Sequence, residues 1–126
     1  MKTLLLLRSY AHLIRIDLML RFGSLQSIHS FVRHQTTIAT HSAKAPSVEA
    51  ICHAIDLASV LYIKPVLCLQ RSAAAAILLR HYGWNAEMCI GAQVLPFKSH
   101  AWVELNGQVV NDKPYMREIY RVLERC

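Results

Sequence analysis

Between Pro65 and Gly83 the chain runs through four consecutive alanines, Ala73 to Ala76, and on through Ile77, Leu78 and Leu79 without a helix breaker. Proline stops the element before it and glycine caps a helix that ends at it, so the spacing predicts a helix from near Cys68 to Tyr82. A helix with so little side-chain bulk along its middle lets a neighbouring element pack very close to it. It is expected at the centre of the fold.

The remaining elements are read around it. Val48, Ile51, Ile55, Ala58 and Leu61 keep a helical phase after a start at Pro46 and Ser47. Leu4, Leu7, Ala11, Ile14, Leu18 and Phe22 recur at helical spacing too, which predicts an N-terminal helix docked on the core by that stripe in preference to the alternative, a helix lying on a membrane surface. Ser24 to Pro46 reads as a loop-rich connection with one short helix around Ile28 to Arg33. After Gly83 the period changes to two: Ala86, Met88, Ile90, Ala92 and Val94 alternate with polar or small residues, as in a strand closed by Pro96. His100 to Leu105 and Gln108 to Asn111 flank Asn106-Gly107 as a hairpin. Tyr115 to Cys126 reads as a final helix. The expected class is α+β, with helices packed on a small antiparallel sheet.

At 126 residues with 54% hydrophobic content, one compact domain with its own core is expected. Cys52, Cys68, Cys89 and Cys126 contain no CxxC pair and no zinc-ligand spacing, so they read as reduced thiols in a cytoplasm, with no metal or other cofactor. The apolar run Leu4 to Leu7 is too short for a secretory signal, and charges interrupt the residues after it, so no integral membrane segment is expected. The net charge of +6 comes from scattered residues rather than a Lys/Arg run, which argues against nucleic acid as partner. With no P-loop, no GxGxxG and no acid pair, phosphate and glycosidic chemistry are set aside.

A cysteine and an imidazole remain. Cys68 stands where a helix starts, so its sulfur lies beside unpaired backbone N–H groups, a setting that favours the nucleophilic thiolate. His100 opens His100-Ala101-Trp102-Val103-Glu104-Leu105 at a strand edge, where it can face a helix end. Asp112, just past the partner strand, is placed to orient the ring. Register discriminates between neighbours here. A two-residue Asn106-Gly107 turn pairs Leu105 with Gln108 and puts Asn111 on the His100 face. A three-residue loop pairs Glu104 with Gln108, sets His100 opposite Asp112 and brings Trp102 beside Val110. The second register is the expected one.

The segments Cys68-Leu69-Gln70-Arg71-Ser72, Leu78-Leu79-Arg80-His81-Tyr82-Gly83, Ile90-Gly91, Pro96-Phe97 and His100-Ala101-Trp102-Val103-Glu104 together resemble one family. From about Val48 onward the chain is similar to the lasso-peptide leader peptidases, transglutaminase-like cysteine proteases with a papain-like core. The resemblance implies a Cys68, His100 and Asp112 triad and a thioester intermediate. It also implies backbone N–H groups near Cys68 as oxyanion donors, with an upstream side chain such as Tyr62 assisting. Residues 1–45 then form an N-terminal helical segment and 46–126 the protease core. The first of these is too short for the winged-helix leader-recognition domain of fused members. The split form is therefore implied, with the precursor leader peptide, a separate leader-binding protein and a lasso cyclase as partners. Acyl transfer and non-catalytic leader binding are the alternatives.

Overall fold

The computed structural model describes residues 2–37 and 45–126. Among these described residues five helices, α1 (Lys2–Phe22), α2 (Leu25–His34), α3 (Val48–Leu61), α4 (Cys68–His81) and α5 (Met116–Ile119), accompany four strands. These are β1 (Glu87–Gln93), β2 (Lys98–Leu105), β3 (Gln108–Val109) and β4 (Arg121–Arg125), hydrogen-bonded as an antiparallel sheet in the order β3-β2-β1-β4. The α+β class with helices on a small antiparallel sheet is the one expected. No helix among the described residues is long and apolar enough to cross a membrane.

Helix α4 is the hub. Ala73 to Ala76 are all fully buried, and α1, α2, α3, β1 and β2 pack around it. Gly83, at φ 94°, ends the helix in the left-handed region, and the Trp84 N–H returns to the Leu79 carbonyl. Helix α3 begins as its sequence dictates, with the Ser47 hydroxyl accepting from the Ala50 N–H, and buries Ile51, Ile55 and Ala58. Helix α2 is longer than the short helix expected. Its start is a capping box in which Ser24 and Ser27 each accept from the other's backbone N–H. The part of the expected Ser24–Pro46 connection between 38 and 44 lies outside the described residues.

Three expectations are corrected. First, α1 does dock on α3 and α4, but with Leu5, Ser9, Leu13 and Ile16 rather than the Leu4, Leu7, Ala11, Ile14, Leu18, Phe22 stripe, which faces outward. Both faces are apolar, so periodicity alone could not choose between them. Burying Leu5, Leu13 and Ile16 stabilises this face by roughly 1.5–3 kcal/mol each. Second, the tail is no continuous helix: after the four residues of α5 it becomes β4. Good helix formers such as Leu123, Glu124 and Arg125 yield to the open edge of β1, whose backbone groups need partners. The pairing ends with Met88 and Cys126 exchanging N–H···O bonds of 2.8 and 2.9 Å. Third, the hairpin has the two-residue turn, which bears on the site.

Arg80 fastens these pieces together. Its buried guanidinium donates to the carbonyls of Val32, Gln35, Ala86 and Cys126, so one side chain joins the end of α2, the approach to β1 and the C-terminus. Burial pushes its pKa down from the ordinary arginine value, and four carbonyl acceptors hold the cation in place of a carboxylate.

Candidate active site

Strand alternation assigns two faces to the sheet. Met88, Ile90 and Val103 join the core around α4, while Cys89, Trp102 and Met116 make a second cluster on the other face with Val109, Tyr120 and Val122 packed on it. His100 and Glu104 share the Trp102 face, opposite Gly91 and Glu87 across the β1–β2 ladder.

The hairpin register is Leu105 with Gln108 and Glu104 with Val109, which corrects the expected three-residue loop. Asn106 and Gly107 both take positive φ, 52° and 79°, the two-residue turn whose twist suits a hairpin. Trp102 consequently packs with Val109, and Val110 belongs to the main core. Asp112 nevertheless reaches His100, because the ladder does not continue. Beyond the Val110 N–H to Val103 carbonyl bond of 3.0 Å, the Asn111 side chain replaces the backbone. Its Oδ1 accepts from the Val103 N–H at 2.7 Å, and its Nδ2 donates to Ser72 Oγ at 3.1 Å. The chain turns there, and Asp112 Oδ2 lies 2.6 Å from His100 Nε2.

That pair has a defined polarity. Burial raises the Asp112 carboxyl, but the His100 hydrogen bond, the Lys113 N–H, and the charges of His100 and Arg71 outweigh it and hold the group below its ordinary value. A carboxylate only accepts, so Nε2 carries the proton toward Asp112. The neutral ring then has its lone pair on Nδ1, which carries no hydrogen bond among the described residues.

An aromatic stack holds the imidazole. Tyr120 and Trp102 lie 5.2 and 6.2 Å from it between ring centroids, each tilted 22° from its plane. Trp102 in turn donates its indole N–H to Glu104 Oε2 at 2.8 Å, and Glu104 is buried beside Arg125 (3.0 Å) and Arg117 (3.5 Å). Gly91 makes this stack possible: a Cβ there would meet the Trp102 ring at 2.7 Å and Tyr120 Cβ at 2.9 Å. Gly91→Ala is accordingly expected to cost about 1–3 kcal/mol of stability through overpacking, and to displace the rings that hold His100. A thermal melt that matches the parent would refute this.

Cys68 is the first residue of α4, with Leu67 as N-cap and no side-chain cap, so the first N–H groups of the helix are left open to a ligand. The half-exposed thiol lines a cleft of about 420 Å³ with Asp56, Ser59, Val60, Val66 and Arg71. One turn on, Ser72 donates to the Ala101 carbonyl at 3.0 Å, and Arg71 stands 3.6 Å from Asp112 and 3.6 Å from Asp56. The structure thus joins His100 to Asp112 and ties both to the first turns of α4. No hydrogen bond links the Cys68 thiol to His100 among the described residues. The Tyr62 hydroxyl donates to Asp17 at 2.9 Å, and burial with that bond raises it to about 12, so its proton is engaged away from the thiol.

The sequence does not single out Arg71, Ser72, Gly91, Glu104 or Tyr120 as site residues, and it offers Asn111 only as the His100-facing residue of a two-residue turn. Arg71 and Ser72 had a signal in their place three and four residues after Cys68, one helical turn on the same side. Glu104 had one in its alternation with His100 and Trp102.

The family model described as "Transglutaminase-like superfamily" matches residues 12–125. The chain belongs to the transglutaminase-like superfamily. Over 56 residues it is 43% identical to the microcin J25-processing protein McjB of Escherichia coli, a match that spans 44% of this chain and 27% of that relative. No solved structure matches. For a transglutaminase-like chain with four free thiols, reactivity should separate them. Burial pushes Cys52 and Cys89 up to about 12, with Asp56 and Glu49 adding at Cys52 and Glu104 at Cys89, and burial also raises Cys126. A thiol at that value is ionised to about one part in 10⁵ at pH 7. Iodoacetamide is expected to label Cys68 first at neutral pH, read by peptide mass spectrometry. Faster labelling of any other thiol would remove Cys68 as the nucleophile.

Proposed function

We propose that this chain is a cysteine peptidase that removes the leader from a ribosomally made lasso-peptide precursor, with Cys68 as nucleophile, His100 as acid and base, and Asp112 as the group that orients the ring. The observation that carries the reading is the 2.6 Å His100–Asp112 pair, anchored by Arg71, Ser72 and Asn111 to the helix that starts with Cys68. The similarity to a protein named for processing microcin J25 and the resemblance of the motifs to leader peptidases support the choice of substrate.

In this reading His100 Nδ1 takes the thiol proton, and the thiolate attacks the scissile carbonyl. The uncapped N–H groups at the start of α4 receive the oxyanion. The imidazolium, steadied by Asp112, returns its proton to the leaving amine, and water then hydrolyses the thioester to free the leader's carboxylate. A separate leader-binding protein presents the precursor, and a lasso cyclase takes the freed core peptide.

The test is incubation of the protein with a precursor peptide, with and without the leader-binding protein, and mass spectrometry of the products. Two fragments, the core carrying a free amino terminus, are expected, with strong stimulation by the partner. Loss of ammonia with a new crosslink would mean acyl transfer instead, and binding of the leader without any product would mean a non-catalytic module. Equal rates with and without the partner would place leader recognition on this chain.

A further inference from the structure

The apolar stripe of α1 that does not dock is a surface in its own right. Leu4, Leu7, Ile14, Leu18 and Phe22 are all exposed, Phe22 by 80% and Leu7 by 61%, and the exposed Ala11 completes the row. At helical rise these six residues form a ridge about 27 Å long. Single exposed apolar residues are ordinary, but a continuous row of this length marks a surface that is covered in use.

Charge selects the kind of cover. Arg15, whose guanidinium lies over the Phe31 ring at 4.7 Å from its centroid, and Arg21 are exposed along the flanks, and Arg8 is half-buried, donating to Tyr82. Asp17, the helix's one acidic residue, is turned to the body of the protein and held by Lys64 at 2.7 Å and Tyr62 at 2.9 Å. The face is therefore apolar along its crest and cationic at its sides. Beside the crest, a hollow of about 380 Å³ is walled by Leu18, Met19 and Phe22, with Arg15 at its margin. An apolar recess with a guanidinium at its rim suits an amphiphile with a negative head. A convex ridge with no polar side chain to fix a register fits a flat, fluid surface better than a shaped protein groove.

We propose that α1 is a membrane-surface contact, its ridge seated in the outer zone of an anionic leaflet and the flanking Arg15 and Arg21 set against the lipid phosphates. The opposite face of the helix stays packed on α3 and α4, so the protein lies on the bilayer without crossing it. Each cation near an anionic surface adds to the attraction, and the apolar crest supplies the part that salt does not screen.

The experiment is flotation of the full chain with phosphatidylcholine vesicles and with vesicles that also contain phosphatidylglycerol. Binding to the anionic vesicles is expected to exceed binding to the neutral ones at least about tenfold, and Leu7→Asp/Leu18→Asp to lower it by a similar factor at an unchanged melting temperature. Should that double variant fail to fold, Phe22→Asp, at the most exposed position of the ridge, carries the same test. The proposal is overturned if the parent does not float with anionic vesicles, or if the Asp variants float as well as the parent, since net charge alone would then explain binding. It is equally overturned if the parent is a dimer without lipid and the variants are monomers, which would make a second copy the cover.

Discussion

Cys68→Ala is expected to leave no measurable precursor cleavage, because no other group in the site can form the acyl intermediate. His100→Ala should come next with a loss of at least about 10² to 10⁴-fold, the range that general acid–base catalysis supplies. Asp112→Asn keeps an acceptor for the Nε2 proton and retains part of the activity, whereas Asp112→Ala leaves that proton without an acceptor and loses more. All four proteins should melt close to the parent. Asn111→Ala behaves differently: it frees the Val103 N–H and the Ser72 hydroxyl, so activity and melting temperature fall together. Normal cleavage by Asp112→Ala would remove Asp112 from the mechanism, and residual turnover in Cys68→Ala would remove the thioester.

A second large effect is expected at a distance from the thiol. Glu104 keeps its carboxylate almost wholly buried between Arg125, Arg117 and the Trp102 indole. Breaking a buried ion pair from one side commonly costs about 3–5 kcal/mol. Arg125 is itself 38% exposed and Arg117 remains 3.5 Å away, so Arg125→Met should fall below that range, at about 2–3 kcal/mol. Burial raises the Glu104 carboxyl, but the Trp102 and Arg125 hydrogen bonds and the two arginine charges bring it below its ordinary 4.5. A depressed carboxyl contributes stability that is complete above 4.5 and disappears as pH falls through its folded value. The difference between parent and Arg125→Met should therefore shrink on acidification. Urea titrations at neutral pH and near pH 3 measure both, and a difference under about 0.5 kcal/mol at neutral pH would show that the pair contributes little.

The elements that were legible in the sequence are those specified by neighbours along the chain. Ser47 caps α3 and Gly83 ends α4, and the alternation around Met88 and Ile90 marks β1. The features that escaped depend on contacts remote in sequence. The docking face of α1 is chosen by the surfaces that α3 and α4 offer it. The tail becomes β4 because β1 has an unfilled edge, which no local propensity records. The meeting of Asp112 with His100 was expected from a register the hairpin does not adopt, and it arises instead from a side chain that takes over where the ladder stops. In the adopted register spacing alone points to Asn111 as the partner of His100, and its actual role required knowing that Ser72 lies beside it.

That substitution of side chain for backbone separates two properties that hairpins usually couple. In an unbroken ladder every residue gained or lost at the tip shifts all later positions, so loop length and the placement of a distal carboxylate cannot vary independently. Here Asn111 is moored to Val103 and, through Ser72, to α4, so Asp112 takes its position from the helix that carries Cys68. The tip at Asn106 and Gly107, held instead by Arg117 through the Gly107 carbonyl at 2.7 Å, can therefore change while the carboxylate stays in place. Ser72 cannot, because its one hydroxyl serves both Ala101 and Asn111.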